Sequence, residues 1–267
     1  MKRIPFVLLI ALLFISCKND TTSKTEIDTD YSKETLNVTT SIYPENITKV
    51  FDAHGGIDVW NTMQSLEFTM KKPDGDEVTL TNLKSRESLI TMPDYTIGYD
   101  GNMVWLNSTT DQDYSGNPKF YYNLMFYFYA MPFILADDGI NYQNVEPQTF
   151  ENTTYPGIKI SYENEVGESP EDEYILYYNP DTYKMEWLGY TVTYFTKEKS
   201  KKWSFIKYSN WQTVKGLLLP ETLTWYKVEN NVPVEVRNDL KFTDIKLSKA
   251  KVDKLKFTKP EDAKIIQ

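Results

Sequence analysis

"NPKFYYNLMFYFYAMPFILADDG", Asn117 to Gly139, holds eight aromatic rings between Phe120 and Phe133 and no charge between Lys119 and Asp137. From Phe120 to Ala130 it is apolar nearly all round, and a helix of that kind lies buried in protein or in lipid. The stretch is too short to span a bilayer, and Pro132 stops it. The expectation is a buried helix across the mouth of a curved sheet. Such a helix serves either as plain core or as a lid over an apolar cavity.

The sequence around this stretch reads as sheet. From Leu66 onward, apolar residues recur with period two between frequent turns, the pattern of antiparallel strands. "SLEFTM", "EVTLTNL", "ESLITM" and "YTIGYD" precede the aromatic stretch, and "GYDGNMVWLN" forms a hairpin with Asp100-Gly101 as a two-residue turn. After it come "GIKISYE", "EYILYYN", "KMEWLGYTVTYFT", "KWSFIKYSNWQTV", "LLLPETLTWYKVE" and "VPVEVRNDLKFTDIKLS". The count is about eleven strands, with no repeat of fixed period. Several are apolar on both faces: Leu188, Tyr190, Val192 and Tyr194 oppose Trp187, and Trp203, Phe205 and Trp211 oppose Ile206 and Tyr208. A sheet resting on helices alternates more cleanly. Two-faced strands indicate a strongly curved sheet that lines an interior on one side and is partly covered on the other.

Before the first strand, Pro44 opens a helix whose apolar stripe is Ile47, Val50, Phe51 and His54, at i, i+3, i+4 and i+7. Gly55 follows as the residue able to take the left-handed conformation that ends a helix. A second short turn, Ile57 to Met63, returns Trp60 to the same core. His54 is the only histidine of the chain. As the last rung of that stripe it reads as packing or capping rather than catalysis.

The N-terminus reads as a leader. "MKRIPFVLLIALLFISC" has a basic start, an apolar run from Ile4 to Ile15 and then Ser16-Cys17. Small residue then cysteine resembles the lipobox of bacterial lipoproteins, in which the cysteine is acylated and becomes the mature N-terminus; Phe14 departs from the usual leucine. Residues 1–17 are thus expected to be a lipoprotein signal peptide with Cys17 lipidated. Residues 18–43, rich in Thr, Ser, Asp, Glu and Lys, read as a disordered tether. Residues 44–267 read as one β domain. Cys17 is the only cysteine, so the domain has no disulfide to rest on.

Composition excludes several functions. The net charge of −9 at pH 7, with no dense Lys/Arg stripe, argues against nucleic acid as a partner. One histidine and one cysteine leave no His/Cys zinc site and no free thiol nucleophile. There is no G-x-S-x-G elbow, P-loop or G-x-G-x-x-G. No catalytic residue, metal or cofactor is assigned. Asp137-Asp138, Glu171-Asp172-Glu173 and Asp111/Asp113 sit among turn residues and read as solvated loops.

Taken together, "AHGGIDVW", "SLEFTM", "YDGNMVW", "FYFYAMPFILADDGINY", "GLLLPETLTWY" and "FTKPEDA" resemble a group of uncharacterised bacterial lipoproteins. That group falls within the outer-membrane lipoprotein-sorting (LolA/LolB-like) superfamily. The resemblance covers most of Pro44 to Ala263. It implies a mainly β (α+β) fold, an incomplete antiparallel β-barrel of about eleven strands capped by two or so helices over a hydrophobic cavity. In the sorting proteins that cavity holds the acyl chains of a lipoprotein in transit, and this chain, like the LolB-like receptors, is expected to carry its own lipid anchor.

The expected function follows from both readings. A lipid-anchored envelope protein, monomeric and on the periplasmic face or surface of the outer membrane, binds an acyl chain, lipid or lipoprotein in an aromatic cavity. Phe126, Tyr129, Phe133, Trp187 and Trp203 are the lining candidates. Two alternatives stay open: a surface glycan-binding lipoprotein, which needs exposed coplanar Trp and Tyr, and a carboxylate-dependent hydrolase, which needs two acids across a cleft.

Overall fold

The structure is a computed structural model that describes residues 42–162 and 171–267. The leader, Cys17 and all of the tether except Ile42 and Tyr43 lie outside them. Helices α1 (Glu45–Ala53) and α2 (Ile57–Asn61) precede strands β1 (Ser65–Lys71), β2 (Glu77–Asn82), β3 (Ser88–Thr91), β4 (Tyr95–Tyr99) and β5 (Val104–Ser108). Helices α3 (Pro118–Tyr121) and α4 (Leu124–Tyr129) follow, then β6 (Ile140–Phe150), β7 (Thr153–Tyr162), β8 (Tyr174–Tyr178) and β9 (Met185–Tyr190). The last four strands are β10 (Ser204–Val214), β11 (Leu217–Glu229), β12 (Val232–Ser248) and β13 (Lys264–Ile266).

All thirteen strands form one antiparallel sheet in the order β13-β5-β4-β3-β2-β1-β12-β11-β10-β9-β8-β7-β6. Two meanders are joined where β12 returns to β1, and the sheet stays open, with β13 and β6 as its edges. The expected class, a curved antiparallel sheet short of a closed barrel and capped by helices, is the fold observed. Curvature follows from a distance. Nine strand steps separate β4 from β7, which at the usual spacing is roughly 40 Å across a flat sheet. Yet Tyr99 of β4 and Tyr162 of β7 line the same cavity, so the sheet curls until its two wings face each other.

Four details differ from the sequence reading. Thirteen strands replace about eleven: β6 and β13 were not expected. β6 is a polar edge strand with Pro147 inside its bulge, so it lacks apolar alternation. β13 is only three residues long. The strand expected through Thr196 ends at Tyr190, and Thr193–Thr196 turns out of the sheet. The turn after β4 spans Asp100 to Met103, and the Asp100 carboxylate accepts from the N–H of Asn102 and of Met103, each at 2.9 Å. Finally, the long aromatic helix is three short pieces: α3, α4 and a 3-10 turn at Phe133–Ala136. Asn117 caps α3, and the Tyr122 carbonyl accepts from the Ser88 hydroxyl at 3.1 Å, which ties the break between α3 and α4 to β3.

These pieces wedge into the concave face. Tyr129 lies 4.4 Å from Phe242 and 4.5 Å from Phe68, ring to ring, and Phe133 stacks on Trp60 at 4.8 Å. The Tyr208 hydroxyl donates to the Phe128 carbonyl at 2.7 Å and fixes the wedge to β10. The opposite face of the sheet carries its own cluster: Phe150, Tyr155, Tyr177, Trp187 and Phe205, with Trp203 partly covering it. The two-faced strands around Trp187 and Phe205 are explained by these two cores; Trp211, expected opposite Tyr208, instead stacks beside it at 6.1 Å in the main core, following Asn210 at φ +54°. Tyr43, the last residue of the expected tether, already packs on the domain; its hydroxyl donates to the Ala136 carbonyl at 3.0 Å.

"AHGG" seats α1 on the sheet. His54 is fully buried, edge-on to Trp211 at 4.7 Å. Its Nδ1 is 2.7 Å from the Val50 carbonyl and its Nε2 is 3.4 Å from the Met185 amide, so a neutral ring with the proton on Nδ1 satisfies both contacts. Its own carbonyl accepts from the Leu218 N–H at 2.8 Å. Gly55 has φ +103°, and a Cβ there would stand 2.2 Å from the Gly216 carbonyl oxygen. Only glycine permits that approach. Burial, opposed by the bond to Val50 and helped by Lys184, lowers the His54 pKa from 6.5 to about 4. The unfolded chain therefore binds the extra proton first as pH falls. Stability from this residue is complete above pH 6.5 and is lost on the way down to about 4. The loss amounts to about 3 kcal/mol. Urea denaturation at pH 7 and at pH 4.5 should show this fall in the wild-type protein and a smaller fall in His54→Gln.

Candidate functional site

Between the wings of the sheet lies a cavity of about 400 Å³. Its size falls within the range of small-molecule sites. Both wings and the wedge contribute to it: Ser85 and Arg86 from the β2–β3 turn, Tyr99 from β4, Phe120, Tyr122, Asn123, Leu124 and Tyr127 around α3 and α4, and Ile134, Asp137 and Asp138 from the stretch before β6. Tyr162, Asp172, Tyr174 and Tyr194 close the far side. Rings make up about half of the walls. Tyr99 and Tyr122 are 4.8 Å apart, Phe120 and Tyr194 5.0 Å, and Tyr162 meets Tyr174 edge-on at 6.1 Å. The hydroxyls of Tyr162 and Tyr174 form no hydrogen bond with the described residues, and burial raises the pKa of both.

Polar groups stand among the rings. Arg86 Nη2 donates to both oxygens of Asp137, at 2.7 and 2.5 Å, and its guanidinium lies 5.2 Å from the Phe126 ring centroid. Its Nη1 is buried without an acceptor. Burial raises the Asp137 pKa, opposed by Arg86. Asp172 Oδ1 accepts from the Thr193 N–H at 2.6 Å and from the Thr193 hydroxyl at 2.7 Å. Burial raises its pKa too, against those two bonds and the attraction of Lys197. Asp138 is exposed and forms no ion pair with the described residues. These acids were read from the sequence as solvated loops. Asp137 and Asp172 instead bind other parts of the fold and face the cavity, because the curl of the sheet brings their loops inward.

The five expected lining residues divide. Phe126, Tyr129 and Phe133 come together in the main core, each almost fully buried, where neighbouring rings fill the space around them. Trp187 and Trp203 lie on the opposite face of the sheet. None of the five lines the cavity. Periodicity marks which rings are buried but not whether they are buried against side chains or against a void. One signal was available: the cavity rings are chiefly tyrosines, which suit a boundary between apolar wall and polar content. Cys17 lies outside the described residues.

Fold and site define a class: an open antiparallel half-barrel, wedged by short helices, with a ring-lined cavity between its wings. The chain belongs to a family described as a family of unknown function (DUF6503), whose model matches residues 106–254. That span holds every cavity residue except Ser85, Arg86 and Tyr99. Among solved structures, the chain is similar to a LolA superfamily protein from Nitrosomonas europaea, with 11% identity and a TM-score of 0.43, over 76% of this chain and 96% of that one. It is also similar to a DUF1329 family protein from Desulfovibrio piger, with 10% identity and a TM-score of 0.44, over 76% and 94% of the two chains. The superfamily that the sequence resembles is thus also represented among these structures. No curated protein matches the chain.

The Arg86–Asp137 pair closes one wall, so breaking it should cost stability. Its side chains are 25% and 40% exposed, which keeps the cost below that of a fully buried pair. Asp137→Ala is expected to lose about 1–2 kcal/mol in urea denaturation by stranding the guanidinium. The Arg86→Met/Asp137→Leu double variant should lose less than the sum of its single changes.

Proposed function

We propose that this chain is a non-enzymatic, lipid-anchored envelope protein that holds a hydrophobic ligand in the cavity between the wings of its sheet. The observation that supports the reading is the cavity itself: about 400 Å³ left open between the wings, lined by seven aromatic rings with Leu124 and Ile134. Each ligand methylene buried there contributes about 0.8 kcal/mol, so a short hydrocarbon segment binds without any covalent step. The sequence resemblance to lipoprotein-sorting proteins points to an acyl chain, a lipid or a lipoprotein as the ligand. The lipobox-like Ser16-Cys17 supports anchorage by Cys17. With it goes a place at the outer membrane, on the periplasmic face or the surface, as a monomer.

The glycan-binding alternative requires exposed aromatic planes. No tryptophan, and among the described residues no tyrosine, is exposed. The hydrolase alternative has one observation in its favour, since Asp138 and Asp172 share the cavity. Turnover of aryl glycosides by the purified protein, abolished in Asp172→Asn, would put hydrolysis in place of carriage.

Leu124 lines the cavity without belonging to the fully buried core. Leu124→Trp should fill the space and weaken binding of Nile red, read by its emission, by about tenfold or more. Trp187→Phe, on the opposite face, should leave binding as it is. Unchanged Nile red affinity in a folded Leu124→Trp protein refutes the cavity as the site.

A further inference from the structure

The charges around the cavity do not cancel. Among the described residues Arg86 is its only basic lining residue, and both oxygens of Asp137 already engage that guanidinium. Asp138 and Asp172 remain. Asp172 uses only Oδ1 toward Thr193, and no described residue donates to its Oδ2. The carboxylates share the cavity with seven aromatic rings, and the negative quadrupole of a ring face attracts cations. The chain already shows that preference at the rim: Lys197 Nζ lies 4.4 Å from the centroid of the Tyr194 ring and also attracts Asp172. Even so, burial outweighs these attractions and leaves the Asp172 carboxyl harder to ionise than an ordinary one. An additional positive charge in the cavity would relieve that penalty. An anionic head would meet two carboxylates and a guanidinium already paired, inside a chain of net charge −9.

We infer that the cavity selects a cationic amphiphile, its ammonium or guanidinium head held by Asp138, Asp172 and the tyrosine rings, its hydrocarbon part against Phe120, Leu124 and Ile134. This rests on the cavity being the ligand site, and it replaces an acyl carboxylate with an amine-bearing ligand as the preferred occupant.

The test compares three probes of equal chain length by calorimetry on the purified full protein at pH 7, below their aggregation concentrations. The probes are dodecyltrimethylammonium, dodecanol and dodecanoate. The expected result is binding of the ammonium about tenfold or more tighter than the carboxylate. Asp138→Asn, exposed and unpaired, should narrow that ratio, and Asp138→Asn/Asp172→Asn should narrow it further. Dodecanoate binding as tightly as the ammonium overturns the inference while leaving an apolar ligand site in place. A preference that survives unchanged in Asp138→Asn, or in a folded double variant, overturns the assignment to these carboxylates. If none of the three probes binds, the inference fails together with the ligand site itself.

Discussion

The wedge of rings from α3 to the 3-10 turn, pressed into the concave face of the sheet, is the contact on which the rest of the structure depends. A thirteen-stranded sheet cannot stay strongly curled around empty space, because its inner face would lie open to water. Phe126, Phe128, Tyr129 and Phe133 fill most of that interior, and β1, β10 and β12 grip them through Phe68, Tyr208 and Phe242. Helix α1, seated by His54 and Gly55 against β11, and helix α2 support the wedge from behind, His54 and Trp60 each meeting the Phe133 ring. Where the wedge stops, between the two wings, the cavity begins.

Much of this was legible in the residues. Period-two patterning located eleven of the strands, and the apolar stripe of α1 with Gly55 after it marked the first helix. The two-faced strand around Trp187 correctly indicated a sheet buried on both sides. β6 escaped notice because an edge strand can be polar and can tolerate Pro147 at a bulge. The aromatic helix was overextended because burial pattern says nothing of where a carbonyl finds another partner. At Tyr122 that partner is Ser88, thirty-four residues away in sequence.

The candidate site was far less legible. Its residues come from the β2–β3 turn, β4, the wedge, β7, β8 and the turn after β9, and only the curl of the sheet unites them. A local pattern cannot report such a juxtaposition. The sequence singled out the most apolar rings, and the fold spends those on packing; the cavity is left to tyrosines and aspartates, residues that hold a ligand with polar as well as apolar parts. Asp137 and Asp172 looked like solvated loop acids because their partners, Arg86 and Thr193, are fifty-one and twenty-one residues distant.

The central claim is that the sheet curls until β4 and β7 face one another across a single cavity. In a Cys17→Ser background, cysteines placed by Tyr99→Cys and Tyr162→Cys can be treated with a short bis-maleimide and the product mapped by mass spectrometry. The account predicts an efficient intramolecular cross-link in the monomeric protein. Complete labelling of both cysteines without a cross-link, as expected if a flat sheet holds them roughly 40 Å apart, would contradict it.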